Sequence, residues 1–193
     1  MATLATADPM TRPNWFLALP LPATAGWQQA AVTAPVGLRR FVAEDLHVTL
    51  AFLGPCAEPA ALEAWQRIEA LASPPLRITA GGWRALGPLR QPSAYGITLA
   101  QGHVELVTLL EQWGARALQA AGLPPPGRPP LPHVTLLRPR RREAGQWWGP
   151  MLTWMASAPL PPGALMLERL ELWTWAEDRR RRLFRQVRCR SLG

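Results

Sequence analysis

One tetrapeptide occurs twice in this chain, as His47-Val48-Thr49-Leu50 and His133-Val134-Thr135-Leu136, although only three histidines are available at which such a match can start. For residue usage this biased, chance agreement at all three following positions is on the order of one in a few hundred to one in a thousand. The surroundings repeat as well. Each copy opens an apolar, strand-like run, each run breaks near a proline (Pro55 and Pro139), and each is followed by a candidate helix. A fold of two structurally similar halves is therefore expected.

Strand geometry gives the spacing a meaning. Alternate side chains point to opposite faces, so His47 and Thr49 share one face while Val48 and Leu50 enter the core, and His133 and Thr135 repeat the arrangement. Halves packed about a pseudo-twofold axis would bring these four polar side chains to one cleft, imidazoles on opposite sides and hydroxyls between. Cleaving a phosphodiester requires one proton taken from the attacking oxygen and another given to the leaving oxygen. Imidazole titrates near neutrality, so one neutral and one protonated histidine can do both. Each transfer is typically worth about 10²- to 10⁴-fold in rate, and threonine hydroxyls can hydrogen-bond the nonbridging oxygens where charge develops. No metal or cofactor is required by this arrangement.

The remaining sequence supplies a setting for such a cleft. Trp15 to Leu19 reads as a strand ended by Pro20 and Pro22, and Trp27 to Val32 as a brief helix. Leu46 to Leu53 is a strand ending at Gly54-Pro55, and Ala57 to Ala72 is an amphipathic helix turning Leu62, Trp65, Ile68 and Leu71 inward. Leu76 to Ala80 and Tyr95 to Leu99 are strands around a Gly/Pro-rich connection. A helix from His103 to Ala121 follows, with Leu106, Leu109, Leu110, Trp113 and Leu118 inward and Gly122 as its stop. Six prolines between Leu123 and Pro132 make a stiff, exposed connector leading to the strand Val134 to Leu137. A weak helix over Glu143 to Ala156, interrupted by Gly149-Pro150, precedes a hairpin of Leu165 to Trp175 with Leu183 to Cys189.

With 48% hydrophobic and 18% charged residues the 193-residue chain reads as one globular domain, 1–193. No stretch approaches the roughly eighteen continuous apolar residues of a membrane span, and the N-terminus shows no basic region followed by an apolar run. The two cysteines, Cys56 and Cys189, fit a reducing compartment and lack metal-like spacing, so a cytoplasmic protein with no zinc site is expected. Lysine is absent, so arginine alone carries the positive charge behind the net +8, a field that persists to very high pH. An anionic partner such as RNA suits that field, although arginine with abundant Ala, Pro and Gly is equally what a GC-rich coding bias leaves. Arg138 and Arg140, beside the second motif, are candidate RNA contacts. The run Arg179 to Arg182 reads as the solvated tip of the last hairpin, and His103 as a helix-terminus residue. Trp65 and Trp113 fall on apolar helix faces and Trp173 and Trp175 share one strand face, so the tryptophans are mostly core.

The paired His-x-Thr-hydrophobic motifs, with LHVTLAFLG over Leu46 to Gly54 and PHVTLLR over Pro132 to Arg138, resemble those of the 2H phosphoesterase superfamily. Within it they are most similar to the RNA 2',3'-cyclic phosphodiesterase branch, also called 2'-5' RNA ligase-like. The resemblance covers most of the chain. It implies an α+β fold of two pseudo-symmetric lobes, each an antiparallel sheet with helices packed outside, and an active-site cleft between them. It implies a monomer that hydrolyses RNA or oligonucleotide 2',3'-cyclic phosphate ends to 2'-phosphomonoesters. His47 would then be the proton donor to the leaving oxygen, His133 the acceptor that activates water, and Thr49 and Thr135 the phosphate binders. The sequence by itself does not rank the two histidines. Leu137 departs from the pattern: many relatives have a smaller residue there, and strand alternation aims it toward the cleft.

Two further readings stay open on sequence. One keeps the site but changes the substrate to a small cyclic nucleotide, an ADP-ribose cyclic phosphate or a 2'-5' linkage joined in reverse. The other is a non-catalytic RNA-binding module whose cleft holds a phosphate without cleaving it.

Overall fold

Short apolar runs, rich in leucine and punctuated by proline and glycine, recur along the chain. In the computed structural model, which describes residues 12–193, they become a nine-stranded sheet; residues 1–11 of the domain expected over 1–193 lie outside the described ones. In chain order the elements are β1 (Trp15–Pro20), β2 (Arg39–Arg40), β3 (His47–Gly54), α1 (Glu58–Glu69), β4 (Leu76–Leu86), β5 (Ala94–Leu99), α2 (His103–Leu109), α3 (Ala115–Ala120), β6 (His133–Arg138), α4 (Trp148–Met155), β7 (Ala164–Leu167), β8 (Arg169–Trp175) and β9 (Phe184–Ser191).

All pairings are antiparallel, in the order β7-β4-β5-β6-β3-β1-β8-β9, with β2 added to β6. The expected α+β architecture of two matched antiparallel halves is present, with β6-β5-β4 on one side of the middle and β3-β1-β8 on the other. The halves share one sheet, joined edge to edge where Val48 of β3 faces Val134 of β6. Because these valines are equivalent residues of the two tetrapeptides, the local twofold axis passes between them. Extending that register by one residue sets His47 across from Thr135 and Thr49 across from His133. Opposed residues of an antiparallel pair share a face, so all four polar side chains emerge together while Val48 and Val134 are fully buried on the other side.

The same irregularity follows each motif. Against β1, Ala18 pairs Thr49 and Leu17 pairs Ala51, leaving Leu50 as an extra residue. Against β5, Gly96 pairs Thr135 and Tyr95 pairs Leu137, leaving Leu136 extra. A bulge shifts the alternation by one, so the fifth residue after each histidine, Phe52 or Arg138, returns to the cleft face. The same shift corrects the expectation for Leu137, which is fully buried in the core instead of aimed at the cleft.

Several expected elements take a different form. Trp27–Ala31 is a 3-10 turn in place of a helix. β4 runs on through Gly81-Gly82 to Leu86, leaving β7 for β5 as its partner at a bulge there. Gly149-Pro150 does not interrupt α4 but sits in its first turn, where a missing N–H is harmless. The segment from Leu165 splits at Glu168, so that β7 joins β4 while β8 makes the terminal hairpin with β9. No helix among the described residues is long and apolar enough to cross a membrane.

The helix expected over His103 to Ala121 contains a π turn at Leu110–Gly114 between α2 and α3. α1 and α3 pack on each other, α1 also on β1 and α3 on β3, burying Trp65, Ile68, Trp113 and Leu118. A close approach is at Gly114, the last residue of the π turn, where an added Cβ would stand 2.8 Å from the Leu50 carbonyl oxygen. In an ordinary helix interior Gly→Ala stabilises by about 1 kcal/mol. Here the sign reverses: Gly114→Ala lowers unfolding free energy in urea by about 1–3 kcal/mol, and a gain in stability would show that the π turn does not press on the bulge of β3.

Candidate active site

The site grows from two identical local devices. His47 opens β3 and His133 opens β6, and each places Nδ1 2.7 Å from the carbonyl oxygen two residues upstream, Asp45 for His47 and Leu131 for His133. Such a carbonyl accepts a hydrogen bond only from a protonated Nδ1. Each ring is therefore held as the tautomer whose Nε2 is free to exchange a proton.

His47, His133, Thr49, Thr135 and Arg138 line one cleft of about 380 Å³, together with Phe16, Phe41, Phe184, Trp175 and Arg179. A larger recess of about 810 Å³ adjoins it, sharing Thr49, Phe52 and His133, and is walled by the π turn and the proline-rich connector, including Pro126 and Arg128. The two hydroxyls are half-buried and His47 is 8% exposed.

His47 sits in an aromatic box. Phe16 stacks on its ring at 4.9 Å between centroids, Trp173 meets it edge-on at 4.9 Å, and Phe184 at 5.6 Å. Burial pushes His47 down to about 4, opposed by the Asp45 carbonyl and assisted by the fields of His133 and Arg138. Burial lowers His133 too, against the pull of the Leu131 carbonyl. In the free protein both imidazoles are thus neutral at pH 7.

Asp45 supports this box from behind. Its buried carboxylate accepts hydrogen bonds from the Leu183 and Phe184 amides at 2.7 and 3.2 Å, with Arg182 Nε at 3.9 Å. It thereby ties the start of β9 to the residue that orients His47. Desolvation raises Asp45 above the usual carboxylate value, against those two amides and Arg182.

Of the two arginines singled out by sequence, Arg138 faces the cleft and lies 5.4 Å over the Phe41 ring. Arg140 is absent from the cleft lining and pairs with Glu143 at 3.7 Å on the surface. Arg179 lies on the exposed tip of the β8–β9 hairpin as expected, and it also borders the cleft with its guanidinium 4.2 Å over Trp175. The aromatic wall was also missed, because Phe16 and Phe184 look in sequence like any other core residue of a strand. His103 opens α2 away from the cleft, as expected. Cys56 and Cys189 are free thiols, and no three His, Cys, Asp or Glu side chains among the described residues are grouped to hold a metal.

Comparison with known proteins adds the following. Residues 20–179 match the model of the 2'-5' RNA ligase superfamily. A crystal structure of a phosphoesterase is similar over 94% of this chain and 99% of its own, with TM-score 0.70 and 23% identity. E. coli LigT complexed with 3'-AMP matches over 94% and 99% at TM-score 0.69 and 24% identity. The same protein complexed with NADP+ matches over 95% and 99% at 0.68 and 24%. At these identities the likeness is one of fold. No curated protein matches the sequence.

The depressed value of His47 makes stability depend on pH. Unfolding returns the ring from about 4 to about 6.5, so the unfolded chain binds the proton first as pH falls. Stability held above pH 6.5 is lost on the way down to about 4, by about 3 kcal/mol. Urea melts at pH 7 and pH 4 are expected to show wild type losing that much more than His47→Gln; equal losses would show that burial does not hold the proton off this ring.

Proposed function

The chain belongs to the 2'-5' RNA ligase superfamily of 2H phosphoesterases, and on that premise we propose that it hydrolyses RNA 2',3'-cyclic phosphate ends to 2'-phosphomonoesters by metal-independent, paired-histidine acid–base catalysis. The observation that carries this reading is the matched pair of imidazoles. Both have Nδ1 committed to a backbone carbonyl, and both line one cleft together with Thr49 and Thr135.

In the proposed reaction, water attacks phosphorus and His133 Nε2 takes its proton. The P–O3' bond breaks, His47 Nε2 gives a proton to the departing O3', and the phosphate stays on O2'. Thr49, Thr135 and Arg138 hydrogen-bond the nonbridging oxygens as their charge grows. A cyclic ester keeps its leaving oxygen tethered, which leaves positioning and proton transfer as the main tasks. His47 becomes a donor only once the phosphate's negative charge has raised it from about 4.

The adjoining recess of about 810 Å³, reached past Thr49, Phe52 and His133, supports a second reading. It offers room for a group on the far side of phosphorus, as in a 2'-5' linkage made or cleaved at the same histidines. That E. coli LigT has been solved with 3'-AMP and with NADP+ supports nucleotide-sized ligands in either reading.

The deciding experiment incubates an RNA ending in a 2',3'-cyclic phosphate with the protein in excess chelator and identifies the hydroxyl that retains phosphate. The 2'-phosphate is expected. His47→Ala and His133→Ala should each lower kcat/KM by about 10²- to 10⁴-fold. Full activity in both variants rejects the acid–base pair, and binding without any turnover favours a non-catalytic RNA module.

The pH profile is a separate test. The reactive free enzyme carries one proton on the pair, and both groups lie below 6.5. The kcat/KM optimum should therefore fall on the acid side of 6.5, with a decline of about tenfold per pH unit above it. An optimum above pH 8 would contradict the assignment.

A further inference from the structure

Arg138 and Arg179 line one cleft and Arg39 stands beside both, and a single scissile phosphate does not account for three guanidiniums. Arg39 of β2 pairs backbone to backbone with Arg138 of β6. Its side chain donates a hydrogen bond to the Arg179 carbonyl at the tip of the β8–β9 hairpin. Arg138 lies over the Phe41 ring at 5.4 Å and Arg179 over the Trp175 ring at 4.2 Å, cation–π contacts that help hold a guanidinium without using its N–H donors. Among the described residues neither side chain donates a hydrogen bond to protein, and none of the three has a carboxylate within ion-pair distance. Of the nearby acids, Asp45 is committed to the Leu183 and Phe184 amides and Asp178 to the Arg180 amide. Neighbouring Arg40 shows the contrast, since its guanidinium is used up on the carbonyls of Ala31, Val32 and Ala34.

Burial and the neighbouring guanidiniums both disfavour charge at two of these arginines. Burial first, then Arg179 and Arg39, pull Arg138 below the ordinary arginine value, and burial followed by Arg39 does the same to Arg179. A cyclic phosphodiester brings one negative charge, which Arg138 and the two hydroxyls already meet. Two further unpaired cations beside it call for a second anion.

We propose that Arg39 and Arg179, reached across Arg138, form a second anion subsite that takes the 5'-phosphate, or the next phosphodiester, of the nucleotide whose cyclic phosphate sits between the histidines. The inference rests on the cyclic-phosphate reading of the site and narrows it. The substrate class is a nucleotide or oligonucleotide end bearing at least two phosphates, in preference to a bare nucleoside cyclic phosphate.

The test compares adenosine 2',3'-cyclic phosphate with and without a 5'-phosphate. Wild type should favour the 5'-phosphorylated substrate in kcat/KM by about tenfold or more, the scale of one or two charge-assisted hydrogen bonds. Arg39→Gln and Arg179→Gln should each erase most of that preference. Arg67→Gln, which removes the same charge from the exposed side of α1, should leave it intact. No preference in wild type, or an equal fall on both substrates in the two variants, overturns the proposal.

Calorimetric binding of adenosine 2',5'-bisphosphate against adenosine 2'-monophosphate gives the same comparison without turnover. If neither cyclic phosphate is hydrolysed yet the bisphosphate binds tighter through Arg39 and Arg179, the catalytic reading fails and the anion subsite stands. Equal binding of the two overturns the subsite.

Discussion

The register at the seam, fixed where Val48 faces Val134, governs the whole cleft. Side chains alternate with period two, so a slip of one residue would set Val48 against a histidine or a threonine and turn one motif's polar pair into the core. Full burial of both valines on the helix side opposes that slip, because each would lose its apolar contacts and each polar group would be stranded without a partner. The diagonal arrangement, each imidazole opposite the other motif's hydroxyl, follows from this pairing alone.

Past that pairing the two strands part company. β6 takes β2 as its neighbour at Leu137 and Arg138, while β3 continues beside β1. The larger recess lies between Thr49–Phe52 and Leu131–His133, on the other side of the paired valines. The bulges at Leu50 and Leu136 then bring different groups back to the cleft, an apolar ring on one strand and a cation on the other. A nearly symmetric scaffold thus presents an asymmetric surface, and the asymmetry begins with the aromatic box that closes around His47 but not His133.

How much of this was legible depends on how local each signal is. The tetrapeptide, α1 and the strands at Trp15 and Tyr95 carry their own periodicity, and they stand where the sequence puts them. The bulges do not announce themselves: Leu137 follows the alternation of its neighbours in sequence and breaks it only because β5 pairs across a shifted register. Arg140 and Arg179 sit in similar arginine-rich runs, yet one ends on Glu143 and the other on Trp175 at the cleft. What separates them is the hairpin that folds residue 179 back beside residue 39, a meeting of distant segments that no local pattern encodes. The wall formed by Phe16 and Phe184 was hidden for the opposite reason, since a buried ring beside a catalytic group has the same periodicity as a buried ring anywhere.

The packing of the π turn and α3 on β3, with Gly114 against the Leu50 carbonyl, also decides how the two halves are held together. α3 belongs by sequence to the connection between β5 and β6, yet it lies on the other half and against α1, lashing the two halves together behind the sheet. In front, one main-chain pair joins β3 to β6. The two halves are thus fastened twice, once by the strand pairing beside the motifs and once by helices that cross from one half to the other.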